Sequence, residues 1–189
     1  MATQRRLVQT RPQRLRRVLL LACHFARNLG YYRSGMSRRR SRIPEEYWKT
    51  VTSNCIDVCI LEWCKLFADP NDPHHWRNVV SIPSKFEGDL YKRVRVSSPR
   101  FEAYRIATRR YRDKFVAHLD SDLVMEIPTL DLALSAARIY YSHVREVECG
   151  PQTARSFPQD LFDYYAESNM AAARVVQTYI EGKELQSSR

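Results

Sequence analysis

Scarcity of glycine limits this chain to a fold with few tight turns. The sequence has only 5 glycines in 189 residues, while 44% of its residues are hydrophobic. Hairpins depend on glycine for backbone conformations with positive φ, so a strand-and-turn architecture is disfavoured. The apolar residues instead recur at helical spacing in several long segments. The sequence therefore predicts an all-α fold, a single-domain helical bundle of about five main helices with an Arg-rich N-terminal arm.

The predicted bundle occupies 44–182 and leaves a short tail over 183–189. Its helices are bounded by proline, glycine and capping residues, which commonly begin or end helices. They are expected over 44–67, 82–96, 100–118, 128–150 and 159–181. No run of eighteen apolar residues is present, so no membrane partner is expected.

The arm, residues 1–43, has an unusual composition. Twelve arginines precede Glu45, with no lysine and no acid among them, whereas the rest of the chain has 19 basic and 21 acidic residues. The net positive charge of the chain therefore comes from the arm and not from the bundle. The arm is expected to be partly helical, over 13–28, and otherwise disordered. The basic tether formed by Arg38, Arg39, Arg40 and Arg42 either contacts RNA phosphates or is a solvated tail, and a start of the protein at Met36 is a further hypothesis.

Cysteine and histidine usage argues against a metal site. Five cysteines without a paired spacing suggest reduced thiols and a cytoplasmic protein. Acids at Asp120, Asp122 and Glu126 lack a second cluster of ligands, so neither a metal nor another cofactor is expected. The adjacent His74 and His75 point in different directions on a helix, and with Trp76 they are either RNA contacts or packed loop residues.

One stretch, 111–120, carries the chemistry that stands out. Arg112 and His118 lie six positions apart in it, and Asp113 follows the arginine. An arginine fork fits a phosphate, and a histidine transfers protons near neutral pH, so the pair suits phosphodiester cleavage without a metal. The alternative is two cations at a helix C-terminus, which favours positive charge. On a straight helix the two lie about 120° apart, so they share a face only if the helix ends or loosens between them, or a second copy supplies the neighbour.

The chain leading into this stretch is locally basic. From Lys92 to Arg112 there are eight basic residues and one acid, Glu102. Arg105 and Arg109 lie on one helical face with Arg112, and Lys114 comes directly after Asp113. These residues are candidate contacts to RNA phosphates; the alternative is pairing with acids from other helices.

The segment Arg112 to His118 resembles the Arg-polar-x4-His motif of the HEPN superfamily (higher eukaryotes and prokaryotes nucleotide-binding domains). The residues of this segment are similar to those of the abortive-infection, AbiU-like branch of the superfamily. The sequence from Asn54 to Phe67 is similar to the second helix of the same branch. The resemblance covers roughly 44–181. One branch of toxins has a tyrosine two places after the histidine, used for regulatory modification, whereas this chain has Asp120 there.

The resemblance implies an all-helical, metal-independent endoribonuclease whose motifs meet across a homodimer, in antiphage defence or a toxin–antitoxin system with an antitoxin or defence partner. It implies catalytic roles for Arg112, His118 and Asp113. Other members of the family have lost activity, so a non-catalytic module binding RNA or a partner protein is the alternative. A helical scaffold that touches no nucleic acid is a third possibility.

Overall fold

The computed structural model describes residues 9–35, 45–116 and 127–187, and every regular element in these ranges is helical. The all-α class predicted from the sequence is confirmed. Helices α2, α5 and α6 each end in a wider, π-type turn. The helices are α1 (Arg11–Gly35), α2 (Glu45–Trp63), α3 (Trp76–Val79), α4 (Pro83–Val94), α5 (Ser98–Tyr111), α6 (Asp131–His143), α7 (Pro151–Arg155) and α8 (Leu161–Ser187), and the π-type turns are Cys64–Ala68 after α2, Arg112–Val116 after α5 and Val144–Glu148 after α6.

Proline and capping signals place most helix boundaries close to where the sequence predicts them. Helices α4, α5 and α7 each begin with proline at the first or second position, where a missing N–H costs nothing. Helix α4 ends at Arg95, whose φ of 57° puts it in the left-handed region. Glycine is the usual residue for such an ending, so an arginine there carries backbone strain.

Helix α1 lies in the core of the bundle. Nine of its apolar side chains are buried, and the helix packs mainly along α8 and α2. The buried residues recur at helical spacing along one broad face, which explains how an arginine-rich segment forms a core helix. They are Leu15, Val18, Leu19, Leu21, Ala22, Cys23, Phe25, Ala26 and Leu29.

The close approach of α1 to α8 depends on Gly30. A Cβ at that position would lie 2.9 Å from the Asn169 backbone nitrogen and 3.0 Å from the Tyr165 carbonyl oxygen. Asn169 also donates its side-chain amide to the Gly30 carbonyl oxygen at 2.9 Å. The two helices are therefore in backbone contact at this point, and any side chain there would push them apart.

These contacts change the interpretation of the N-terminal segment. The sequence predicts an arm over 1–43 beside a bundle that begins at 44, with a short helix over 13–28. The structure instead has a 25-residue helix whose buried face belongs to the same core as α2 and α8. A chain starting at Met36 would lack α1 and expose the apolar surfaces that it covers. The start at Met36 stays a prediction, which an intact mass of the native protein would test.

Aromatic rings fill the centre of the bundle where α2, α4, α5 and α6 meet. The Trp63 and Phe67 rings stack with centroids 5.1 Å apart, and Tyr104 of α5 meets Trp63 edge-on at 5.4 Å. Phe67 also contacts Tyr140 of α6 at 5.7 Å. The α5 rings of Phe101, Tyr104 and Tyr111 therefore pack in or against the core, since each such ring contributes a large buried apolar area. These rings are not available for stacking RNA bases.

The His74–Trp76 segment is packed, which confirms the second of its two interpretations. His75 and Trp76 are 2% and 3% exposed. His75 donates from Nε2 to the Phe67 carbonyl oxygen at 2.9 Å and accepts the Arg77 amide at Nδ1 at 3.2 Å. Both ring nitrogens are used by the neutral form, and burial lowers the pKa of His75 to about 4.

A buried carboxylate fixes the start of α1. Glu148 has a side chain only 2% exposed and accepts hydrogen bonds from Arg11, from the Ser81 amide and hydroxyl, and from His143. Burial tends to raise the pKa of Glu148, but these donors hold it below its usual range. The network joins α1 to the α3–α4 connection and to the end of α6.

None of the described helices combines the length and apolar character needed to cross a membrane.

Candidate functional site

The predicted site lies at the end of α5, where the helix widens into the Arg112–Val116 turn. Arg112 and His118 can share a face only if the helix loosens between them, and the turn provides such a loosening on the Arg112 side. Single π-type turns are frequent at functional sites. The same form also ends α2 and α6 in this chain, so the turn alone does not mark a site. His118 lies outside the described residues.

Arg112 and Asp113 form a close pair. The Arg112 guanidinium donates from Nε at 2.8 Å and from Nη2 at 2.6 Å to the same Asp113 oxygen, Oδ1. Its side chain is 18% exposed, against 49% for Asp113. Burial has the largest single effect and lowers the pKa of Arg112, but the hydrogen bond to Asp113 and the nearby charges of Asp113, Cys64 and Asp69 together raise it by more, so the net shift is upward. The guanidinium is permanently charged, and its orientation is fixed by the neighbouring carboxylate.

Asp113 also connects Arg112 to the outer face of α5. Its second oxygen, Oδ2, lies 3.7 Å from Nε of Arg109, whose side chain is 44% exposed. One carboxylate therefore lies between a half-buried arginine and an exposed arginine. A phosphate approaching this face would compete with Asp113 for both cations.

The three predicted RNA-binding residues share one open groove on the outer face of α5. The groove has a volume of about 370 Å³ and is lined by Arg105, Ile106, Arg109, Arg110, Asp113 and Lys114. Arg112 is not among the lining residues and reaches the groove only through Asp113. Five basic residues and two acids lie between Glu102 and Lys114, so the region has an excess of positive charge.

Arg105 has a structural task as well. It pairs with Glu102 one turn earlier and donates from Nη1 to the Ala68 carbonyl oxygen at 2.7 Å. That carbonyl belongs to the turn after α2, where helix-end carbonyls need partners from outside the helix. Arg105 therefore ties α5 to α2, whereas Arg109 is more exposed and makes fewer such contacts.

Two lining residues were not among the predicted site residues. Ile106 is 55% exposed, and Arg110 is also exposed. Together with Asp113 and Lys114 they follow the i, i+4, i+7, i+8 spacing of one helical face. The sequence contains this spacing, but it also contains the neighbouring face of Arg105, Arg109 and Arg112, whose three charges are the stronger signal for phosphate binding.

Buried thiols near the site are not suited to nucleophilic chemistry. Burial raises the pKa of Cys64 to about 12, although nearby Arg112 opposes this shift. The thiol is therefore protonated at neutral pH and behaves as a small apolar side chain. Cys23, Cys55 and Cys59 are buried too, and burial raises the pKa of each.

No protein-family model, curated protein or solved structure matches this chain. No relative therefore assigns a role to the α5 groove or to the Arg112–Asp113 pair.

Proposed function

We propose that the protein is a metal-independent endoribonuclease of the HEPN type, acting as a homodimer in antiphage defence or in a toxin–antitoxin system. The observation that carries the proposal is the Arg112–Asp113 pair, which fixes a guanidinium beside a basic groove at a widened helix end. The motif histidine, His118, follows six positions later in the sequence. The resemblance of this segment to the HEPN motif supplies the reaction class.

The reaction is an internal transfer within the RNA strand. His118 accepts the proton of a 2′-hydroxyl while the 2′-oxygen forms a bond to the adjacent phosphorus. The bond from phosphorus to the 5′-oxygen breaks, and that oxygen leaves with a proton from an acid. Arg112 stabilises the negative charge that develops on the phosphate oxygens. The products are a 2′,3′-cyclic phosphate and a 5′-hydroxyl. Each motif has a single histidine, so the partner copy supplies the second proton-transfer group.

Asp113 positions Arg112, and the groove holds the strand. Two hydrogen bonds from one guanidinium to one carboxylate restrict its rotation before RNA arrives, which lowers the cost of ordering it. Arg109 and Lys114, with Arg105 beside them, contact neighbouring phosphates. Backbone contacts of this kind bring affinity without sequence preference.

The test compares wild type with Arg112→Ala and His118→Ala on total RNA in the presence of EDTA. Arg155→Ala is the matched control, because Arg155 is an exposed arginine on α7. Wild type and the control should cut RNA and leave 2′,3′-cyclic phosphate ends, while both motif variants lose cleavage by a factor of about a hundred or more. Cleavage retained by His118→Ala, or ends without a cyclic phosphate, would refute the proposed chemistry.

A second candidate is a non-catalytic module that uses the same groove to bind RNA or a partner protein. The observation that favours it is the engagement of Arg112, which already donates twice to Asp113 and has a side chain only 18% exposed. Under this alternative no variant cleaves, yet RNA binding remains and weakens with salt. Removing one phosphate-binding side chain, as in Arg109→Ala, should reduce the slope of log affinity against log salt by about one.

A further inference from the structure

A second polar groove lies between the end of α1 and the second half of α8. Its volume is about 480 Å³, and its polar lining residues are Arg33, Ser34, Asn169, Arg174 and Gln177. Two apolar residues of α8, Ala173 and Val176, complete it. The groove is formed by helices other than α5 and plays no part in the proposed cleavage.

The Ser34 hydroxyl is the unusual group in this groove. Ser34 is 7% exposed, and its Oγ is buried with no hydrogen-bond partner among the described residues. Helical serines and threonines commonly donate to the carbonyl four residues earlier. Within the described helices, six others do so: Thr50, Thr52, Thr108, Ser135, Ser168 and Thr178.

The usual acceptor for Ser34 is already occupied. The carbonyl four residues earlier is that of Gly30, and it accepts the Asn169 side-chain amide at 2.9 Å. The close packing of α8 at Gly30 therefore takes the acceptor that Ser34 would otherwise use. A buried donor without an acceptor is destabilising. A ligand that supplies an acceptor atom to the Ser34 hydroxyl therefore gains binding free energy at this site.

Two arginines give the groove its charge. Arg33 is held from two sides, since Nη1 donates to the Tyr165 hydroxyl at 3.2 Å and Nη2 to Asp131 at 2.6 Å. Arg174 is exposed on the α8 side. No acid is among the described lining residues. Asp131, whose side chain is 82% exposed, pairs with Arg33, and Glu181 accepts a hydrogen bond from Gln177.

The partial negative charge at the C-terminal end of α1 disfavours a bound anion only weakly. Ser34 lies in the last turn of α1, where helix-end carbonyls carry partial negative charge. That effect amounts to about fivefold in affinity at most for a surface site, whereas two guanidinium groups that donate to one anion contribute more.

We propose that this groove binds a phosphate-type oxyanion. Ser34 Oγ donates one hydrogen bond to it, and Arg33 and Arg174 neutralise its charge from the two helices. The shared chemistry is the phosphate group itself, either as a free phosphate ligand or as one phosphate of an RNA strand. The inference goes beyond the proposed nuclease activity and does not depend on it.

The experiment is a titration of the full-length protein with inorganic phosphate, followed by amide NMR signals at constant ionic strength. Signals of Ser34 and the side-chain amides of Asn169 and Gln177 should shift. Arg174→Gln should weaken binding about tenfold and Ser34→Ala about fivefold, in line with charged and neutral hydrogen bonds. Arg155→Gln, which removes a distant exposed arginine, should bind as wild type does.

Thermal unfolding without phosphate separates binding from folding. Ser34→Ala removes a buried hydroxyl that has no acceptor, so its midpoint should equal or exceed that of wild type. A lowered midpoint would mean that the hydroxyl already has a structural partner, which overturns the inference. Absence of shifts at millimolar phosphate, or equal affinity in wild type and Arg174→Gln, overturns it as well.

A parallel titration with a short oligoribonucleotide identifies the source of the phosphate. Binding that is tighter than that of inorganic phosphate, and that disappears in both groove variants, assigns the site to an RNA strand. Equal or weaker binding assigns it to a free phosphate ligand. Arg112→Ala should leave phosphate binding in this groove unchanged, so a failure of the nuclease proposal remains distinguishable from a failure here.

Discussion

A pair of glycine-to-alanine substitutions tests whether α1 is a core helix. Gly30 and Gly88 both lie inside helices, and neither has a positive φ. A Cβ at Gly30 would meet backbone atoms of α8 at 2.9 and 3.0 Å, whereas a Cβ at Gly88 would meet nothing within 4 Å. The same chemical change is therefore made in two environments that differ in packing alone.

The expected effects have opposite signs. In an open helix interior, alanine is more favourable than glycine by about 1 kcal/mol, so Gly88→Ala should stabilise the protein by up to that amount. At Gly30 the same gain is opposed by overpacking of about 1–3 kcal/mol, because backbone atoms of α8 cannot rotate away as a side chain can. We therefore expect Gly30→Ala to lower the free energy of unfolding by up to about 2 kcal/mol.

Thermal unfolding followed by far-ultraviolet circular dichroism measures both variants. For a chain of this size, about 1 kcal/mol corresponds to about 2–4 °C. The midpoint should rise by up to about 4 °C for Gly88→Ala and fall by up to about 8 °C for Gly30→Ala. A Gly30→Ala variant as stable as Gly88→Ala would refute the contact between α1 and α8, and with it the placement of α1 in the core.

Three further predictions concern acid stability, helix ending and the site. The free energy of unfolding should fall by about 2–3 kcal/mol as the pH drops from about 6.5 to about 4, because His75 binds a proton in the unfolded state but stays neutral when buried. Urea unfolding at several pH values should show a weaker pH dependence in this range for His75→Gln, and an unchanged pH dependence contradicts the prediction. Arg95→Gly should raise stability by about 0.5–1 kcal/mol in the same assay by relieving a left-handed residue, and a decrease contradicts this. Asp113→Asn should tighten RNA binding about two- to fivefold, because it removes a negative charge that competes with phosphate for the arginines. The same variant should slow cleavage about tenfold or more, because Arg112 loses the carboxylate that orients it. Weaker RNA binding in a filter assay contradicts the prediction.

The sequence predicts most helices of this fold because their signals are local. Prolines at the starts of α4 and α5 and the apolar spacing along α2, α6 and α8 place these elements within a few residues of their observed bounds, except that α8 continues to Ser187, six residues past its predicted end. The six-residue spacing of the motif likewise favours a widening such as the one at Arg112–Val116. These features depend on neighbours along the chain, which a sequence displays directly.

The place of α1 was missed although its signal was present. Leu15, Val18, Leu19, Ala22 and Ala26 follow helical spacing, but a composition of twelve arginines and no acid before Glu45 favoured an arm beside the bundle, with a short helix over 13–28. Arginine stems lie along a helix while their charged ends reach water, so a basic helix still buries one face. Periodicity was the better guide here, and composition the poorer one.

The Ser34 groove could not be predicted from the sequence. Asn169 reaches the Gly30 carbonyl across 139 positions of chain, and only that contact leaves the Ser34 hydroxyl without an acceptor. Nothing near Ser34 in the sequence distinguishes it from the serines and threonines that bond to their own helix. Sites of this kind arise from tertiary packing, which local patterns do not contain.

One side chain of the candidate site, Arg105, also joins α5 to the turn after α2. His75 donates to the Phe67 carbonyl and Arg105 to the Ala68 carbonyl, so both caps stabilise the turn after α2. Loss of Arg105 would therefore disturb the support of α5 as well as the charge of the groove. Arg109 has an exposed side chain and only a 3.7 Å contact with Asp113, so its substitution changes charge with little effect on the fold. Among the groove arginines, Arg109 and not Arg105 separates a role in RNA binding from a role in stability.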